Sequence, residues 1–345
     1  MKIEGTWTAL ITPFTSDDVV DIEGFKKNIE FQIKEGITGV LAVGTSGESP
    51  TLSWEEHNKV IETASKTASG KIGVIAGTGS NSTKEAIVNS KQADECGVDG
   101  CLLVDCYYNG PSSSELRDEY YAQVADKVSC EVIPYIIPGR SGCQLLPEDL
   151  AILSANCKNI NAVKDATGNF EEMKRVREVC GKDFSIMSGD DDLNFAIITD
   201  PDIKGNGVIS VVTNVCPGAM SRMVNLVAEG CEKEAKVLAD KLAPLCNIVT
   251  VKTKNARIMP NGETVYVTDK YRNPLPYKIL MKALGMPSGD ARKPLGKMTK
   301  SGLDVLRETL KCVIENSPEL LLPINDFYGV DVEMRINDDN IWSSL

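Results

Sequence analysis

Short apolar runs alternate with longer amphipathic stretches over the first two thirds of the chain. The runs are WTALITP (7–13), TGVLAVG (38–44), IGVIAG (72–77), DGCLLV (99–104), EVIPYII (131–137), INAVK (160–164), FSIMSG (184–189) and NGVISVV (206–212). They are continuously apolar and rich in Val and Ile, which marks strands covered on both faces and hence a parallel sheet. The stretches between them have helical spacing. Capping residues such as Asp21, Ser53 and Ser82 open them, and several stop at a glycine, as at Gly36, Gly97 and Gly181. Eight strand-like runs with helical spacers predict an α/β fold, a (β/α)8 or TIM barrel over residues 1–230. An open doubly wound sheet is the alternative. From Pro217 to Glu315 the pattern turns mostly helical, which predicts a small C-terminal helical domain over 231–316 with an insert at about 250–275. Within the insert, strand-like residues flank Asn261-Gly262, a hairpin signal. The last stretch, 317–345, is an acidic tail with scattered aromatics and no clear helical period, so its packing stays open.

Composition narrows the chemistry. The 345 residues are 42% hydrophobic and 25% charged, within the usual range for a globular protein. A net charge of −12 argues against a nucleic acid or an anionic membrane as partner, and an anionic substrate would need a local positive group. No apolar run approaches membrane-spanning length, and the N-terminus lacks the apolar core of a signal peptide, so the expected location is cytoplasmic. The 11 cysteines include no C-x-x-C pair and read as reduced thiols, with Cys101 and Cys312 in apolar contexts. The single histidine, His57, reads as a surface residue at a helix start. Metal centres rich in histidine, and Ser-His-Asp or Cys-His catalysis, would need more than this. The expectation is no metal and no cofactor, with chemistry carried by lysine, tyrosine, hydroxyl and carboxylate groups.

In INAVKDATGN the apolar run ends on Lys164. Most lysines at a strand end point to water. A buried one has its ammonium form penalised and becomes a nucleophilic amine, as a Schiff base requires. In a barrel, the groups that follow the strands gather at one mouth. They are Thr45 and Ser46 after the second run, Tyr107 and Tyr108 after the fourth, Tyr135 in the fifth with Arg140 beyond it, Lys164 ending the sixth, Gly189, Asp190 and Asp191 after the seventh, and Ile209 in the eighth. An amine, phenols, hydroxyls and a guanidinium suit a carbonyl substrate that bears a carboxylate. The turns GTSGES (44–49) and AGTGSN (76–81) match neither the dinucleotide fingerprint nor the P-loop. They are either anion-facing N–H clusters or simply tight loops.

The order GTSGES (44–49), AGTGSN (76–81), YYN (107–109), YIIPGRSG (135–142), KDATGN (164–169), SGDD (188–191) and GVISV (207–211) resembles the dihydrodipicolinate synthase / N-acetylneuraminate lyase family of Schiff-base aldolases over roughly residues 3–316. The resemblance implies a homo-oligomer, a dimer or a tetramer of tight dimers. It implies that Lys164 forms an imine with pyruvate, that Tyr135 is the general acid/base, and that Thr45 relays its proton to Tyr108 reaching in from a neighbouring subunit. Thr45, Ser46, Gly189 and Ile209 would hold pyruvate. Arg140 would take the carboxylate of aspartate semialdehyde, which favours the synthase branch, leading towards lysine and diaminopimelate, over the sialic-acid lyases. A feedback site for lysine would comprise Ser49, Trp54, His57, Asn81, Glu85 and Tyr107.

The chain departs from the family pattern at several places. Ser46 stands for a second threonine, Ile136 for an asparagine, and Asp105-Cys106 for Thr-Pro. Neither the insert nor the tail has a counterpart in a typical member. The competing readings are another pyruvate aldolase, acting on a 2-keto-3-deoxy sugar acid or hydroxy-oxoglutarate, and a non-catalytic metabolite-sensing barrel.

Overall fold

The structure, a computed structural model, describes residues 2–345. Eight strands, β1 (Gly5–Ala9), β2 (Gly39–Ala42), β3 (Gly73–Gly77), β4 (Gly100–Val104), β5 (Glu131–Ile136), β6 (Ala162–Asp165), β7 (Ser185–Ser188) and β8 (Gly207–Ser210), form a closed parallel barrel. Pairing of β1 with β8, with Trp7 opposite Ile209, closes the ring and excludes the open sheet. The continuous apolar runs have the cause inferred for them, because each strand is covered inside the barrel and by helices outside. Trp7, Leu41, Ile75, Leu102, Ile133 and Met187 fill the interior, while Val40, Val74, Val132 and Val163 face the helices. Strand alternation therefore turns Ala162 and Lys164 inward. The top inward position of β6 holds an amine above an interior filled mainly by apolar side chains.

Helix starts follow the sequence signals with one exception. Asp21 accepts from the Gly24 N–H at 2.9 Å, and Ser53 with Glu56 forms a reciprocal capping box. Ser82 stands at the N-cap of its helix without a side-chain capping bond. All 11 cysteines are free thiols. Cys101 is buried, but Cys312 is exposed. On its helix, Lys300–Asn316, the inward stripe is Leu306, Leu310 and Val313, and Cys312 falls outside it.

The C-terminal half packs a second core from the helices Pro217–Ala228, Glu232–Asn247, Leu275–Leu284 and Lys300–Asn316. Between the second and third of these lies a hairpin, β9 (Thr250–Ile258) and β10 (Thr264–Arg272), in antiparallel register with Lys252 opposite Lys270. Its turn closes with the Met259 N–H donating to the Glu263 carbonyl at 2.8 Å. Gly262 sits at φ +85°, a conformation that explains the Asn-Gly signal. Because strand residues alternate faces, odd- and even-numbered positions here point opposite ways. The odd face packs on the start of the helix Lys300–Asn316. Val251 is buried, Tyr271 Oη bonds Thr299 Oγ1 at 3.2 Å, and Ser301 donates to Asn255 at 2.8 Å.

The tail forms three short helices, Leu322–Tyr328, Val332–Asn337 and Asp339–Ser344, packed back on the second core. Helices of six or seven residues are too short to show a period, but they bury Ile324, Val332, Ile336 and Trp342, and Leu345 after the last is buried too. Tyr328 donates to Asn28 at 2.9 Å, tying the tail to the first barrel helix. Among the described residues no helix is long and apolar enough to cross a membrane.

Candidate active site

Lys164 sits inside the barrel mouth, 5% exposed. Its strand neighbour across β5–β6 is Tyr135, and the Lys164 Nζ lies 4.4 Å from the centroid of the Tyr135 ring. Burial lowers the Lys164 pKa from 10.5 to about 8. Asp191 and Asp190 oppose that shift, and Arg140 adds to it. Burial also holds the Tyr135 phenol well above its ordinary value, so at neutral pH it is a proton donor. A solvated lysine, the alternative the sequence left open, is excluded.

Gly189 makes this placement sterically feasible. A Cβ there would sit 3.0 Å from Lys164 Cε and 3.0 Å from Ala166 Cβ, so any side chain would crowd the amine. Asp191 is buried beside the lysine and accepts from the Ser210 hydroxyl. Burial raises its pKa, while the Ser210 bond, the Val211 N–H and Lys164 restrain the rise.

These groups line a cavity of about 490 Å³. Of the residues singled out from the sequence, Thr45, Ser46, Tyr135, Arg140, Lys164, Gly189 and Ile209 all reach its wall. Asn273 joins two of them. Its side-chain amide donates to Ser46 Oγ at 2.9 Å, and its carbonyl accepts from Arg140 at 3.0 Å. Asn273 was not singled out, although its Asn-Pro context at the end of the insert is a turn signal. Lys252, Lys270 and Arg272 of the hairpin also line the mouth; the hairpin was legible but its facing was not. The Asp105 carboxylate, out of place for the family pattern, lies outside this wall. It is buried against Tyr121, which donates to it at 2.6 Å. Burial pushes its pKa up to about 7.

The loop bearing Thr45 and Ser46 is anchored by a buried ion pair. Lys278 Nζ donates to Glu48 Oε1 at 2.5 Å, with both side chains 1% exposed. The same ammonium donates to the Thr12 carbonyl at 3.1 Å, and the other Glu48 oxygen accepts from the Arg292 N–H at 2.9 Å. Glu48 itself adopts φ +56°, a left-handed conformation costly for a residue with a side chain.

Tyr108 is the exception among the candidates. It is 90% exposed, at φ +80°, and stays off the cavity wall. A second cavity of about 260 Å³ is lined by Ser49, Trp54, Asn81, Glu85 and Tyr107. It shares Thr45 and Tyr135 with the first. Glu85 accepts from Ser80 Oγ at 2.8 Å. His57 corrects the sequence expectation twice, being neither at the surface nor on this cavity's wall. It is 1% exposed, with Nε2 at 3.1 Å from the Gly77 carbonyl. The amphipathic period of its helix puts it on the inward stripe with Val60, Ile61 and Ala64. Burial lowers its pKa, which keeps the ring neutral.

Among the described residues, no group of three or more His, Cys, Asp or Glu is placed to hold a metal ion. A profile of the Dihydrodipicolinate synthetase family matches residues 2–313. The 4-hydroxy-tetrahydrodipicolinate synthase of Methanococcus aeolicus is 38% identical over 309 residues, 90% of this chain and 98% of that protein. The chloride-inhibited dihydrodipicolinate synthase of Acinetobacter baumannii, solved with pyruvate, superposes with a TM-score of 0.80 at 34% identity, covering 90% of this chain and 99% of that one. The lysine-bound synthase of Cyanidioschyzon merolae gives 0.80 at 32% identity, covering 90% and 98%. With near-complete coverage of such relatives and a buried lysine at the mouth of the same barrel, the chain belongs to the dihydrodipicolinate synthetase family.

Proposed function

We propose that this enzyme, a Schiff-base lyase of its family, condenses pyruvate with aspartate semialdehyde to give 4-hydroxy-tetrahydrodipicolinate, using Lys164 as the imine-forming amine. The observation that carries the reading is the buried amine of Lys164, its pKa lowered to about 8, beside a protonated phenol inside a cavity of substrate size. The lysine lone pair attacks the ketone carbon of pyruvate. The phenol of Tyr135 donates a proton as the carbinolamine loses water, leaving a protonated imine. The resulting Tyr135 phenolate takes a methyl proton to give an enamine, whose carbon adds to the aldehyde of the second substrate. That substrate's own amine then attacks the imine carbon, closing the ring and displacing Lys164. Ser46 and Thr45 offer hydroxyls to the pyruvate carboxylate, and Arg140 stands at the mouth for the aldehyde's carboxylate. Tyr108 projects outward, as a residue serving a neighbouring subunit's proton relay through Thr45 would.

The test is reduction with borohydride in the presence of pyruvate, followed by mass mapping. A pyruvate-derived adduct on Lys164, together with turnover of aspartate semialdehyde, is the expected result. An unmodified Lys164 would sink the reading, and a better rate with a sugar-derived keto acid would move the enzyme to another branch. Tyr135→Phe is expected to lower kcat by ~10²–10⁴-fold while pyruvate still binds, measured by steady-state kinetics.

The pH profile follows from the lysine. The amine attacks only when neutral, and its pKa is lowered to about 8, so kcat/KM for pyruvate should rise with pH and level off above about 8. An ordinary lysine would keep the rise going to about 10.4. The second cavity is our candidate for a lysine effector, with the Glu85 carboxylate for an ammonium group and the Asn81 amide for a carboxylate. Its shared wall at Thr45 and Tyr135 supports coupling to catalysis.

A further inference from the structure

The even-numbered face of the β9–β10 hairpin is lopsided in charge. Lys252 and Lys270 stand directly opposite one another, flanked by Lys254 and Arg272, and the strands place no acidic residue on that face. Like charges directly opposite in a hairpin are destabilising. The odd face, in contrast, is neutralised internally, since Arg257 meets Asp269 at 2.7 Å. Among the described residues no carboxylate pairs with Lys252, Lys270 or Arg272. All three line the catalytic cavity beside Arg140. The hairpin's root also holds the Arg140 loop, through Arg272 Nη1 donating to the Gly139 carbonyl at 3.3 Å and Arg140 donating to the Asn273 carbonyl at 3.0 Å. The carboxylates on the same wall are Asp190, Asp191 and Asp192, and Asp191 is committed to Ser210.

A chain of net charge −12 repels the anions it must bind. We propose that the hairpin is an anion subsite added to the mouth, in which Lys252, Lys270 and Arg272 act with Arg140 to capture the carboxylate of the incoming aldehyde. This rests on the imine reading above. The cost of two facing lysines is offset when the anion sits between them. Because the cations lie at the mouth and Lys164 lies below, the subsite discriminates for the second substrate and leaves pyruvate binding to the deeper groups.

The test compares wild type with the double variants Lys252→Met/Lys270→Met and Lys252→Arg/Lys270→Arg. The methionine pair should lose about tenfold in kcat/KM for aspartate semialdehyde at low ionic strength, with the deficit shrinking as salt screens the mouth. Its kcat at saturating aldehyde and its KM for pyruvate should each shift less than about twofold. The arginine pair should behave as wild type. Equal kcat/KM for the aldehyde in wild type and the methionine pair at low salt overturns the subsite, as does an equal loss for pyruvate. Borohydride trapping with saturating pyruvate is the control. Failure to trap the wild type overturns the imine reading itself, whereas trapping of both wild type and variant leaves the kinetic comparison to decide the subsite.

Discussion

Lys164→Met should abolish turnover and, at pH 7, make the protein more stable. Removal of the proposed nucleophile costs kcat/KM about 10⁴-fold or more, because Lys164 is the buried amine of the cavity while Lys252 and Lys270 at its mouth are exposed. Stability moves the other way. Burial lowers the folded-state pKa from 10.5 to about 8, so the protonated amine is penalised in the native state. Below pH 8 the lysine is charged both folded and unfolded, and the whole penalty is present, on the order of 3 kcal/mol. As pH rises from about 8 to about 10.5, the folded amine is already neutral and the unfolded one becomes so, and the penalty fades. Methionine fills similar volume without that cost. Urea unfolding at pH 7 should therefore show a raised midpoint for the variant, and the gain should vanish near pH 10.5. A variant with lower stability at pH 7 would mean that the native environment supports the ammonium form. Stability given up at a reacting group is the usual trade at an active site.

Lys278→Met should be strongly destabilising, by about 3–5 kcal/mol, because it strands the Glu48 carboxylate in the interior. Glu48 retains only the Arg292 N–H as a partner once the ammonium is gone. The expected readout is a large drop in the urea midpoint. The double variant Lys278→Met/Glu48→Leu should recover most of it, since a buried pair is often replaceable by apolar residues of like volume while half a pair is not. Recovery of stability without recovery of activity is the expected combination. Glu48 closes the loop that holds Thr45 and Ser46, and its left-handed backbone depends on the contacts made by its side chain. Equal stability of the single and double variants would show that the carboxylate is satisfied by other groups.

The barrel and its lysine were legible because they rest on short-range signals. Eight apolar runs, each bounded by a turn or cap, give the strand count, and a lysine closing such a run marks where chemistry departs from packing. The hairpin was legible from Asn261-Gly262. Its meaning was not, because nothing local says which face of a two-stranded ribbon meets a barrel mouth 130 residues away in sequence at Arg140. Asn273 eluded sequence reading for the same reason, since its role lies in bridging Ser46 and Arg140 across the fold. His57 misled because a lone polar residue near a helix start is ordinarily exposed, whereas helical phase places it inward. The tail helices were invisible because six residues hold less than two turns of periodic information.

The second core has an order of assembly written into it. It brings together Ile11 from just after β1, Phe31 from the first helix, and Trp342 and Leu345 from the far end. On the ribosome, the barrel's own interior is complete once β8 has emerged, since its deepest layer needs nothing beyond Ile209. The outer face of the first helix must wait for more than a hundred further residues before Tyr328 reaches Asn28. At ~5–20 residues per second, that flank has no partner from its own chain for several seconds of synthesis. That flank, rather than the catalytic mouth, is where a nascent chain of this protein would call for a chaperone.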